Sequence, residues 1–184
     1  LFLHVRKAVH HILHFYKNPV KFSKIQHGLP ESAFLWMQTG LSGMILANDV
    51  SSFLIFWEMM SVASFIAGFF RNESRFSFAL TRYFIQMHIG AGFLIAGFSR
   101  MVAIQGFQEI PVLISEADTI SMLLILIGFA VKAALIPFHS WVPQYYPVCI
   151  SPVGLMMSVG ISNAGVWGLY RIAIYADSDA GSIA

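Results

Sequence analysis

Residues 119–143 read "TISMLLILIGFAVKAALIPFHSWVP". From Thr119 to Phe138 the run is almost wholly apolar, yet Lys132 sets a full positive charge inside it. A bilayer core takes roughly 20 apolar residues per helix, so the run is long enough to span one. Pro137, His139 and Pro143 follow the lysine within eleven positions. A proline inside a helix removes a hydrogen bond and clashes with the carbonyl four residues back. The stretch therefore reads as a membrane helix that breaks near Pro137, just past a charge. In lipid, freed backbone groups are tolerated only where protein or a water-filled cavity covers them. The plainer alternative is a proline that merely ends a span at the interface.

The rest of the chain agrees with a bilayer. Hydrophobic residues make up 57% of the 184 residues and charged residues 11%, against about 25% charged in soluble domains. A net charge of +2 is too small to point to nucleic acid. The single cysteine, Cys149, excludes an internal disulfide and a cysteine metal cluster. The N-terminus lacks a cleavable small-residue site of the secretory kind. Because the chain starts at Leu1 and stops after a polar tail, it is expected to be a fragment, or a processed or split subunit.

Five stretches are apolar enough to span or nearly so: about 31–48, 50–70, 77–98, 119–138 and 151–175. "ANDV" (47–50) is a tight turn, "RNESR" (71–75) a short polar loop, and residues 100–118 a longer link. Residues 1–30 read as an interfacial or partial helix with a basic loop, 31–175 as the five-helix bundle, and 176–184 as a frayed tail. The expected fold is thus an all-α membrane protein. Lys and Arg crowd one side of this path: Arg6, Lys7, Lys17, Lys21, Lys24, Arg71, Arg75 and Arg82. The other side has only Arg100 and Arg171. The positive-inside rule then puts the N-terminal side in the cytoplasm, in a multi-pass protein of the cell's inner membrane.

Two charges lie deep in apolar segments, Glu58 in "FLIFWEMMSVASF" (53–65) and Lys132. Each costs about 2.5–3.5 kcal/mol at mid-membrane, and such groups normally pair or face water. An acid and a base on different spans are natural partners. Depth leaves a mismatch: at about 1.5 Å per residue, Glu58 lies roughly 12 Å from the outer end of its span and Lys132 roughly 20 Å from that of its own. The pair reads either as a structural ion pair or as a proton relay, since buried lysines and glutamates shift their proton affinity readily. Arg82 is near enough to the end of its span to snorkel and reads as an anchor.

The sequence here resembles a known family. "W-E-x-M-S-x-x-S-F" (57–65), the G-x-x-x-K-A-x-x-x-P-x-H-x-W-V-P pattern of 128–143, and "SPVGLMMSVGISNAGVWGLYR" (151–171) are similar to the antiporter-like subunits of respiratory complex I, Mrp antiporters and membrane-bound hydrogenases. "TRYFIQMHIGAGFLIAGF" (81–98) is nearest in flavour to formate-hydrogenlyase-type membrane subunits. The likeness covers about residues 29–172 and corresponds to the first of two five-helix bundles. It implies that Glu58 is the family's essential glutamate, Lys132 its partner lysine, and His139 part of a hydrated path. It also implies that the lysine-bearing helix is broken, its second half starting at His139 to Pro143. The last span departs from the pattern. Members carry a lysine eleven positions after the proline of S-P or a histidine six after it; from Pro152 these fall on Asn163 and Ser158. Neither titrates, although both could hold water.

His4, His10, His11 and His14 crowd the N-terminus; without a third ligand at sensible spacing they fit an amphipathic interfacial helix better than a metal site. His88, with Gln86 inside the third span, reads as a packing residue or a relay member. Gly40, Gly43, Gly90, Gly92 and Gly97 permit close helix approach. The expected function is proton or cation translocation through a Glu58–Lys132 charge pair, with His139, Asn163, Ser158 and His88 as candidate relay positions. The chain would be a non-redox subunit of an oxidoreductase complex, beside other membrane subunits, with no cofactor or metal of its own. The alternative is a truncated scaffold that keeps the ion pair for packing.

Overall fold

The computed structural model describes residues 28–69, 74–146 and 157–177, and among these every regular element is helical. The expected N-terminal helix with its histidines, the "RNESR" loop up to Glu73, Cys149, Pro152 and the tail beyond Asp177 lie outside the described residues.

Helices α1 (Gly28–Leu46) and α2 (Val50–Phe69) form an antiparallel hairpin. The turn is short because Asp49 caps α2 from outside: its Oδ1 accepts the Ser52 backbone N–H at 2.8 Å, satisfying one of the free donors of a helix start. That hydrogen bond holds the Asp49 carboxyl below its ordinary value. Small residues let the hairpin close. A Cβ on Gly40 would stand 2.8 Å from the Met60 backbone nitrogen.

The third helix, α3 (Ser74–Gln105), runs past residue 98, where the apolar stretch was expected to give way to a long link. The continuation is amphipathic: Phe98 and Met101 are buried, while Ser99 and Arg100 face outward. A helix can carry an arginine at its membrane-exit turn when the side chain reaches polar partners, and Arg100 Nε donates to Asp118 Oδ2 at 3.1 Å. Gly106, at φ +83, ends it, as glycine does at a helix C-terminus. The link then contains a further short helix, α4 (Ile110–Ser115), with Ile110, Leu113 and Ile114 buried. Its Ile110 N–H donates to the Asn48 carbonyl at 2.8 Å, and Asn48 Nδ2 donates to Glu109 at 2.7 Å.

Helix α5 (Thr119–Lys132) stops five residues before Pro137, earlier than the expected 119–138 span. The cause is the proline acting backwards. Its ring excludes a helical carbonyl at Ala133 and pushes Ile136 out of the helical region. Ala134 takes a left-handed φ of 55, and the chain resumes as a 3-10 turn (Phe138–Trp141) and the short helix α6 (Val142–Tyr145). The break near Pro137 is thus present, centred on Ala133 and Ala134. The described part of the last expected span comprises a π turn (Met157–Ile161) and α7 (Ser162–Asp177).

Stretches Val50–Ala67 and Phe78–Gln105 are each long and apolar enough to cross a membrane, and Thr119–Lys132 is a shorter apolar helix. Contacts fix which ends meet. Arg171 Nη1 donates to the Ala47 carbonyl at 2.9 Å, so Arg171 shares an end with the α1–α2 turn, α4 and Arg100. The charge count had placed Arg100 and Arg171 on one side.

Candidate functional site

Among the described residues, Lys132 is the one charged side chain that is fully buried, at 1% exposure. It occupies the last turn of α5, where the break begins. Its Nζ donates to Ser61 Oγ at 2.6 Å and lies 4.5 Å from the centre of the Trp57 ring. Ammonium over indole is the strongest cation–π pairing for a lysine, and desolvation strengthens it. Phe129 meets Trp57 edge-on at 5.3 Å, and Phe53 lies 5.7 Å from Trp57 and 6.0 Å from Phe129. The pocket is an aromatic wall with one hydroxyl in it.

The break itself is held by Trp141, whose indole N–H donates to the Val131 carbonyl at 3.2 Å. That carbonyl lacks its usual helical partner, because Leu135 N–H instead donates to Ala130. Helix α7 comes in close behind: a Cβ on Gly165 would stand 2.4 Å from the Ala133 nitrogen.

Hydroxyls continue beyond Ser61. Ser61 Oγ donates to the Trp57 carbonyl at 2.9 Å, and Ser64 Oγ donates to the Ser61 carbonyl at 2.6 Å. Ser64 Oγ also lies 2.5 Å from Tyr83 Oη, and Tyr145 Oη donates to the Ser64 carbonyl at 3.0 Å. The two tyrosine rings stack with centroids 4.4 Å apart.

Glu58 belongs to a second constellation. Its Oε2 is 3.6 Å from His88 Nε2, with the two side chains about a third exposed, at 32% and 37%. His88 Nδ1 lies 2.9 Å from the Phe84 carbonyl. A carbonyl only accepts, so Nδ1 carries the hydrogen and Nε2 turns to the carboxylate. The contact is then attractive only when a further proton sits on Nε2 or on Glu58. Nearby, Gln86 Nε2 donates to Ser140 Oγ at 3.0 Å.

The expected direct Glu58–Lys132 contact is therefore not formed. Ser61 takes the ammonium and His88 takes the carboxylate. Depth explains the exchange: at about 1.5 Å per residue, Ser61 lies roughly 4 Å further along α2 than Glu58, nearer the level of Lys132. His139, Ser158 and Asn163 are exposed, and none is hydrogen-bonded to Lys132. Asn163 Nδ2 donates instead to the Val159 carbonyl of the same span at 2.9 Å. One signal for Ser61 and Ser64 was available: Glu58, Ser61 and Ser64 repeat every third position in an apolar run, which places them on neighbouring turns of one helix face. Tyr83 and Tyr145 carry no such signal.

A family model described as the NADH:quinone oxidoreductase/Mrp antiporter transmembrane family matches residues 47–183. The chain belongs to this family. Over 170 residues the antiporter-like chain is 31% identical to NADH-quinone oxidoreductase subunit N 2 of Chloroherpeton thalassium, covering 83% of this chain and 33% of that protein. A chain of the Mrp complex from Dietzia sp. superposes with a TM-score of 0.71 at 26% identity, over 80% of this chain and 29% of that one. A chain of the membrane-bound sulfane sulfur reductase, an archaeal respiratory membrane complex, shares the fold with a TM-score of 0.75 at 22% identity, over 84% of this chain and 34% of that one. The antiporter-like chain thus spans about a third of the length of these relatives. It is a membrane protein of the antiporter-like kind.

Proposed function

We propose that this chain is the proton-carrying bundle of an antiporter-like subunit, working beside other membrane subunits in a complex I-related or hydrogenase-related assembly. One observation carries the reading. A lysine is sunk in the bundle without a carboxylate in contact, held by a serine hydroxyl and an indole face. A purely structural charge in such a place is normally paired directly. Here the acid, about one turn along α2 from Ser61, is joined instead to a histidine by a contact that needs a proton.

The mechanism is electrostatic. A proton arriving at or leaving the Glu58–His88 pair changes the local negative charge, and with it the hold of Lys132 on its own proton. Charge shifts in a neighbouring subunit reach this pair readily, because Glu58 and His88 lie on a partly exposed face at mid-span. Bare lipid is a poor neighbour for such groups, so another protein surface is expected to cover them. Protons then pass laterally between Lys132 and the polar groups of adjoining bundles. No redox step is assigned to this chain. The N-terminal side faces the cytoplasm, supported by the crowding of Lys and Arg on that side. The stretch 31–175 is taken as one bundle.

The test is Lys132→Ala in the full-length subunit within its complex, reconstituted in sealed vesicles. Proton pumping is expected to fall at least tenfold while the complex still assembles. Normal pumping by the assembled variant would overturn the relay. A second reading, a scaffold that moves no protons, is favoured by Ser158 and Asn163, which do not titrate where the family resemblance of 151–171 implies an ionisable group. It predicts that Lys132→Ala harms assembly alone.

A further inference from the structure

This inference rests on the reading of Lys132 as the proton carrier and adds a route to it. Of the three N–H donors on the Lys132 ammonium, one goes to Ser61 Oγ at 2.6 Å, beside the Trp57 ring face. The polar groups continue beyond that contact. Ser64 follows one turn along α2, with Tyr83 Oη at 2.5 Å and Tyr145 Oη on its carbonyl at 3.0 Å. Ser61 is 2% exposed, and Ser64, Tyr83 and Tyr145 are 0%. Four hydroxyls are thus buried where phenylalanine and alanine would pack without any desolvation cost. They form a file from the ammonium toward the end of the bundle where α2 finishes and α3 begins. That end also carries Arg82, outward-facing over the Phe78 ring.

We infer that Ser61, Ser64 and Tyr83 are the proton path between Lys132 and this end of the bundle, with Tyr145 as a positioning residue. The ammonium gives a proton to Ser61 Oγ as Ser61 releases its own, leaving Lys132 a neutral amine. Ser61 and Ser64 are i, i+3 neighbours with Cβ atoms about 5–6 Å apart. Rotation of the Ser61 hydroxyl away from the Trp57 carbonyl, with one bridging water, covers that gap. Rotation of the Ser64 hydroxyl away from the Ser61 carbonyl then lets Ser64 and Tyr83 exchange a proton across a contact in which either oxygen is able to donate. Each hydroxyl gains one proton and loses one, so the file conducts without storing charge. Tyr145 fixes the geometry by stacking on Tyr83 and by holding the Ser64 carbonyl.

The test uses the full-length subunit in its assembled complex, in sealed vesicles with a pH-sensitive dye. Initial proton-transfer rates are measured in H2O and D2O, and assembly and melting temperature are checked for each variant. Ser64→Ala and Tyr83→Phe are each expected to slow transfer at least tenfold and to enlarge the solvent isotope effect in a complex that still assembles. Ser64→Thr, which keeps the hydroxyl, is expected to stay within twofold of the parent. If Ser64→Ala does not assemble, Tyr83→Phe decides, since it preserves the ring stack. Parent-like rates in Ser64→Ala and Tyr83→Phe, with pumping lost in Lys132→Ala, overturn the path and leave the lysine reading standing. Normal pumping in Lys132→Ala overturns the lysine reading and the path with it.

Discussion

The two ends of α5 handle charge in opposite ways. At its start, Asp118 is partly exposed, takes the Ser121 hydroxyl on one oxygen and Arg100 on the other, and faces solvent beyond them. At its end, Lys132 is sealed in, with no carboxylate in contact. The first end is an ordinary helix entrance. Its carboxylate accepts hydrogen bonds, meets a cation that already has water, and gains little from either. The second end carries the desolvation cost of a full charge against a hydroxyl and an indole face. Such an arrangement is poor as a stabiliser. The contrast separates a charge that meets polar partners at an exposed end from one sealed inside the bundle.

The sharpest way to break the comparison is to remove each charge in turn. Lys132→Ala is expected to lower pumping at least tenfold, whereas Arg100→Ala is expected to leave it within twofold, both read in vesicles containing the assembled complex. Equal losses in the two would erase the distinction. Next in size is the close approach that shapes the buried end. Gly165→Val would force a side chain against the Ala133 backbone, which cannot yield as a flexible side chain would. Overpacking of this kind costs about 3 kcal/mol, and a thermal melt of the detergent-solubilised protein should show it. The matching residue on α2 is Ser61. Ser61→Ala leaves the ammonium without its acceptor and is expected to cost about 2 kcal/mol, read by the same melt.

The smallest effect belongs to the exposed end and depends on pH. The Ser121 hydroxyl first, and Arg100 second, hold the Asp118 carboxyl below its ordinary value of 3.8. A carboxyl lowered on folding contributes stability above its unfolded value and loses it as pH falls through the lowered folded value. The melting-temperature gap between the parent and Asp118→Asn should therefore be constant near neutral pH and close once pH drops below 3.8. A gap that persists in acid would mean that Asp118 acts through shape rather than charge. Raising the salt concentration should narrow it at neutral pH, because the Arg100 contact is exposed.

Much of this was legible in the residues. Apolar runs separated by "ANDV" gave a hairpin whose helices end within a few residues of expectation, because an Asp cap and a short polar turn leave the backbone little choice. The end of α3 was not legible, since among residues 99–105 only Met101 is buried, a pattern that only a neighbouring helix makes meaningful. For the site, Lys132 and Glu58 stood out because a charge in a hydrocarbon-length run is costly wherever it points. Their expected direct contact was not met. Sequence spacing gives depth along each helix and leaves open how the helices are rotated about their axes.

Alone, the sequence determined that the chain is a helical membrane bundle with a lysine before a broken helix, since hydropathy, helix length and proline sterics act locally. Tertiary structure decided what that lysine touches. Rotation of α2 presents Ser61 and Trp57 to Lys132 and turns Glu58 toward His88. Hydrogen bonds between residues as distant in sequence as Ser64 and Tyr145 exist only once packing has brought α2, α3 and α6 together.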